Sequence, residues 1–273
     1  MNKAVFSCLM PLLMSAAPSF GHEVWIEPVD WSVAPQEEIK AQIYNGEHLS
    51  GYDLIWDDKR IVRAEAWQNQ DYKEIKGRLG DRPALTTVGQ DNGLLTLLYQ
   101  STFSTVDYDT YEKFASFVEE KGHLWALEQH DERRLSRTAI KEAYTRFAKS
   151  LVKVGSGDGA DAFRGMELEL VALDNPYVSS DADEITVRLF YQNERLADNR
   201  ITVFERAPDG TVSHIVLQTD QDGQASFGVT PGAEYLVDSV VLREPARSLV
   251  IETRGAVWES LWASLTFEVP AAQ

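Results

Sequence analysis

The only cysteine of this 273-residue chain, Cys8, lies inside the apolar run 4–17 near the start. Beyond residue 21, no disulfide can brace the fold and no thiolate can hold a metal. A chain of this length must then rely on its hydrophobic core, and seven tryptophans supply bulky material for one.

Lys3 ahead of the apolar run, and small residues after it, give 1–21 the pattern of a cleavable export signal. The run is too short to span a membrane, so the mature chain is expected to have no transmembrane segment and to reside in the periplasm. Cleavage after Gly21 puts small residues at 19 and 21 and leaves His22 at the new terminus; cleavage after Ser19 is the alternative. The formal charge of -17 disfavours nucleic acid and anionic lipid, while modestly favouring cations and basic partners.

Ile39, Ala41 and Ile43 alternate with polar neighbours as in a half-buried strand, with Asn45-Gly46 read as the turn after it. The run 94–99 is a second strand. Tyr111, Phe114, Phe117 and Val118 form a helical stripe, with Asp109 as cap, Glu112 as its capping-box partner and Gly122 as terminator. Ile140, Tyr144, Phe147 and Leu151 suggest another helix, on which Glu142 and Arg146 pair at i,i+4. The glycines of 155–159 read as a mobile link. Strand character returns at 166–170, 185–191 and 201–203, with Asp209-Gly210 and Asp222-Gly223 as hairpin-type turns. The expected fold is mostly β: two β-sandwich (immunoglobulin-like) units, 22–105 and 161–273, with a helical insertion and linker over 106–160 between them.

Hydrolase elbows, His-Glu-x-x-His helices and phosphate loops are all missing, so an enzyme is not expected. Histidine nitrogens suit Ni, Co, Cu and Zn. A terminal His22 would offer its α-amine and ring nitrogen as a chelating pair. His48, in a loop of the same unit, and His123 are candidate second imidazoles, with Glu27 and Glu47 as carboxylate ligands or supports. Glu23 reads as a solvated carboxylate, Trp25 as a core anchor, and His214 as packing or surface decoration. His130 lies seven residues after His123, with Gly122 interrupting the helix that would align them.

The opening His22-Glu23-Val24-Trp25-Ile26-Glu27-Pro28, then Gly46-Glu47, the stretches 144–152 and 168–177, and the closing stretch 258–267 together resemble a family of exported bacterial proteins. That family carries a domain of unknown function of the NikM-like or NikK-like type, linked to nickel or cobalt uptake. The resemblance implies a periplasmic protein that binds one divalent transition metal ion, Ni or Co ahead of Cu or Zn, and delivers it to an inner-membrane metal transporter. Two other readings stand beside it: a non-enzymatic envelope scaffold or protein-interaction module, and a copper-dependent oxygenase built on the terminal histidine.

Overall fold

Short runs of β-branched and aromatic residues, punctuated by glycine and acidic turns, favour strands along most of this chain. The computed structural model, which describes residues 22–178 and 183–271, is accordingly mostly β. The expected signal segment 1–21 lies outside the described residues. The chain runs through β1 (Glu23–Pro28), β2 (Ser32–Val33), β3 (Glu38–Glu47), β4 (Ser50–Leu54), β5 (Ile61–Gln68), β6 (Asp71–Glu74), β7 (Leu85–Val88), β8 (Gly93–Ser101) and β9 (Ser104–Thr110). Two helices follow, α1 (Tyr111–Glu120) and α2 (Trp125–Glu132), and then the long β10 (Thr138–Val154). The remainder comprises β11 (Leu168–Ala172), β12 (Glu184–Tyr191), β13 (Glu194–Arg195), β14 (Arg200–Arg206), β15 (Val212–Gln218), β16 (Gln224–Gly228), β17 (Glu234–Arg243), α3 (Arg247–Glu252) and β18 (Trp258–Glu268).

These strands form three layers. A central ten-stranded sheet runs β15-β14-β17-β18-β10-β8-β5-β6, with β2 and β9 also paired to β10. One outer sheet holds β1, β3, β4 and β7; the other holds β11, β12, β13 and β16. Alternate residues of the central strands serve the two outer layers. In β8, Leu95, Leu97 and Tyr99 pack toward the first outer sheet, while Leu94 and Leu98 pack toward the second. The two expected sandwich units therefore have one sheet in common.

The expected helix at 140–151 is instead the middle of β10. Its even residues Ala148 and Val152 join one core and its odd residues Phe147 and Leu151 the opposite one. A strand buried on both faces loses the simple alternation that identifies strands, and apolar residues at 140, 144, 147 and 151 then imitate a helical repeat. Helix α1 does form. Thr110 occupies its N-cap position without a side-chain cap bond, and Asp109 pairs with Lys113 at 2.8 Å. Gly122, at φ +81°, ends the turn after it. Both helices cover one end of the central sheet, with Phe114, Phe117 and Val118 packed on Trp258 and Trp262.

Three local expectations also change. The reversal after β3 falls at His48 and Leu49, both left-handed, while Gly46 sits inside the strand opposite Gly51. A side chain at Gly46 would meet the Ser50 carbonyl oxygen at 2.1 Å, which explains the glycine there. The 155–159 segment is tied down: Gly155 N–H donates to Val33, Leu94 N–H donates to the Asp158 carbonyl, and Asn175 donates to the Gly157 and Gly159 carbonyls. The Asp222-Gly223 turn carries the chain from the central sheet to the outer sheet of β16, so it closes no hairpin. Asp209-Gly210, by contrast, does lie in the β14–β15 hairpin.

A buried ion cluster locks the second outer layer onto β10. Lys149, fully buried, donates to Asp161 at 2.8 Å and to Glu169 at 3.1 Å. Backbone N–H groups of Ala162, Arg164, Met166 and Ala172 satisfy the remaining carboxylate oxygens. Removing one partner of such a cluster typically costs about 3–5 kcal/mol, because the others remain charged and dry.

Candidate functional site

Of the five expected ligands, the structure brings His22 and Glu47 together and commits Glu27, His48 and His123 to other partners. His22 Nδ1 lies 3.6 Å from a Glu47 carboxylate oxygen, at a solvent-facing position. Glu27 accepts from Trp25 Nε1 at 2.9 Å and pairs with Arg206 at 3.4 Å. Trp25, as expected, is buried, and it stacks on Tyr44. His48 stacks on His214 with ring centroids 5.5 Å apart, both rings lying beside Phe204. His123 is buried and commits its Nε2–H to the Val240 carbonyl at 3.0 Å. Burial holds its imidazole below the ordinary histidine range, although the Val240 bond opposes this. His130 accepts from Trp258 Nε1 on one nitrogen and faces the Ser136 carbonyl with the other.

Among the described residues, no three or more His, Cys, Asp or Glu side chains stand together where they could hold a metal ion. This overturns the expected capture of nickel or cobalt and its delivery to an inner-membrane transporter. Glu23 also departs from expectation: it is buried against Lys121 at 2.8 Å, and Asp238 lies 3.5 Å from the same ammonium. Burial opposes the charge on Lys121, but Asp238, Glu23 and Glu120 outweigh it and raise its pKa above the ordinary range.

The geometry instead gathers polar chemistry in a cavity of about 460 Å³ on the face of the central sheet shared with β1, β3 and β4. It opens where β10 changes neighbours: residues 138–144 pair with β9 and 151–154 pair with β8. Glu142, Tyr144 and Arg146, alternate residues of β10, line it together with Tyr52, Tyr99, Tyr108 and Trp262. His22 and the largely exposed Arg60 also line it.

Arg146 is only 9% exposed and forms no ion pair among the described residues, and its Nε and Nη1 lie buried without an acceptor. Its guanidinium sits 3.8 Å from the centroid of Trp262 and 4.9 Å from that of Tyr144, a cation–π arrangement. Glu142 accepts from Tyr108 at 2.7 Å and from Ser260. Burial pushes its carboxyl up to about 7, against the pull of Ser260, Tyr108 and Arg146. Taken from the sequence alone, the i,i+4 spacing pairs Glu142 with Arg146 on a helix. The signal for the true arrangement was the i,i+2 spacing of Glu142, Tyr144 and Arg146, which on a strand places all three on one face.

A second feature lies at one edge of the central sheet. β15 pairs with β14 on one side only, and its seven residues Val212–Gln218 contain no charge and no proline. Val212, Ile215 and Val216 are exposed, Ile215 to 48%. The legible signal was this uncharged, β-branched window.

Residues 19–242 match a family model described as Domain of unknown function (DUF4198). That description names no metal uptake, and it replaces the expected NikM- or NikK-like assignment. No curated protein matches. Among solved structures, the chain is similar to a tetra-tandem repeat in the extending region of a large adhesion protein, at 10% identity and a TM-score of 0.22. The match covers 91% of this chain and 50% of that one, so this chain spans about half its length. The D0-D1 domain of Intimin matches at 13% identity and a TM-score of 0.21, covering 89% of this chain and 97% of that one. Fibronectin(III)-like modules of Clostridium thermocellum CbhA match at 9% identity and a TM-score of 0.19, covering 90% and 95%. At such TM-scores none of the three lends this chain a function.

Proposed function

The chain belongs to the DUF4198 family, a domain of unknown function, and from that starting point we propose that it is an exported, periplasmic, non-enzymatic protein-interaction module. The reading rests on the β15 edge. Proteins commonly blunt such edges with lysine, proline or a bulge, because unpaired backbone N–H and C=O groups recruit further strands. Here seven uncharged residues present them beside exposed Val212, Ile215 and Val216. The occupant we infer is an extended segment of a basic partner protein, added as a further strand of the central sheet. The formal charge of -17 favours such a partner and opposes pairing of β15 with a second copy of the chain.

A photo-cross-linker placed at Val216 in the cell that makes the chain tests this. It should yield one discrete heterologous adduct, which disappears when Ile215→Lys is added. The same probe at Tyr72, on the opposite edge strand β6, should yield none. Equal adducts from both edges, or only a homodimer, would sink the proposal.

A further inference from the structure

The cavity at Arg146 is a different site from the β15 edge and carries its own inference. We propose that it binds a small organic monocarboxylate, whose carboxylate takes the Arg146 guanidinium and whose apolar body lies against the surrounding tyrosines.

A guanidinium stays charged at any ordinary pH, so a buried one needs acceptors. Arg146 has buried donors at Nε and Nη1 with none among the described residues. Its neighbours Trp262 and Tyr144 hold the cation by their ring faces and leave those donors unmet. An anionic ligand supplies what is missing, through charge-assisted hydrogen bonds of the stronger kind. A cavity of about 460 Å³ falls within the usual range for small-molecule sites.

The same surroundings select the kind of anion. Glu142 shares the cavity, and Asp238 and Glu23 stand near enough to act on Arg146 electrostatically. A doubly charged phosphate would face these carboxyl groups, whereas a monoanion matches the one buried cation of the lining, Arg60 being largely exposed to solvent. Glu142 is itself occupied by Tyr108 and Ser260, which leaves Arg146 for the ligand. Val24, Leu54 and Val106 line the cavity with Tyr52 and Tyr99, a wall suited to an aromatic or aliphatic body. Tyr52, 60% exposed, stands where such a body would enter.

Calorimetric titration of the whole mature protein tests this with benzoate and hexanoate, their uncharged amides, and inorganic phosphate. At least one of the two carboxylates should bind saturably at one site per chain. The amides should not bind, and phosphate should bind at least about tenfold more weakly. Arg146→Gln should weaken the carboxylate about 10- to 100-fold, the scale of a charged hydrogen bond. It should still unfold cooperatively, because it removes a charge that has no acceptor. Ser104→Trp, which fills the cavity from β9 and leaves the guanidinium in place, should abolish binding, and it carries the test if the first variant does not fold. The inference fails if neither carboxylate saturates, if the amides or phosphate bind as tightly, or if the variants bind like the wild type.

Discussion

Glu142 shows how far one buried carboxyl can govern the response of this chain to pH. Burial pushes it from an ordinary 4.5 up to about 7. The folded chain therefore keeps a proton that the unfolded chain releases near pH 4.5. The stability this contributes is fully present below that pH and is lost as pH rises to about 7. Asp238 acts with the same sign: burial raises it from 3.8 to about 6, with Lys121 pulling it down and Glu23 pushing it up. We expect Glu142→Gln to flatten the decline, reducing the stability difference between pH 4.5 and pH 8 by about 3 kcal/mol. Urea denaturation at the two pH values measures it, and an unchanged difference would refute the assignment. At this scale the sequence was partly legible. Glu142 and Arg146 stood out as a pair because residues four apart share a face on a helix and on a strand alike. What could not be read was their burial, since Tyr108 and Ser260 reach Glu142, and Trp262 reaches Arg146, only through pairing across distant strands.

At the level of elements, β10 separates a correct reading from a misleading one. Strands with one wet face, such as β3 and β12, were visible from alternation, and α1 from its stripe. β10 was not, because outer layers cover it on both sides and its apolar residues obey no single period. Lys149 compounded this: a lysine in a strand reads as exposed, yet here it is wholly buried between Asp161 and Glu169. The strand assignment makes a strong demand on Phe147, which lies in the core beneath the second outer sheet. Phe147→Ala should cost about 3–5 kcal/mol in chemical denaturation. A loss below about 1 kcal/mol would show that Phe147 does not lie in that core.

For the molecule as a whole, acidity is the dominant long-range property. A formal charge of -17 makes the fold repel itself, and salt screens that repulsion. Raising NaCl from 0.05 to 0.5 M should therefore raise the calorimetric Tm by a few degrees; a fall would show that local ion pairs such as those of Arg243 and Arg206 dominate. The mostly β class was readable from turn spacing and strand runs, but the sharing of one sheet by both outer layers was not, because no local pattern records which strands become neighbours. That sharing also bears on how the chain comes into being. Glu142 lies beside Trp258, and β10 has no β18 to flank it until residues 258–268, more than a hundred positions later, have been made. During synthesis from the N-terminus, the strand at the heart of the protein must wait, unpaired along one side and sticky, for β18 to arrive. A helper that shields the nascent chain, rather than piecewise folding, is the natural companion of such an order of events.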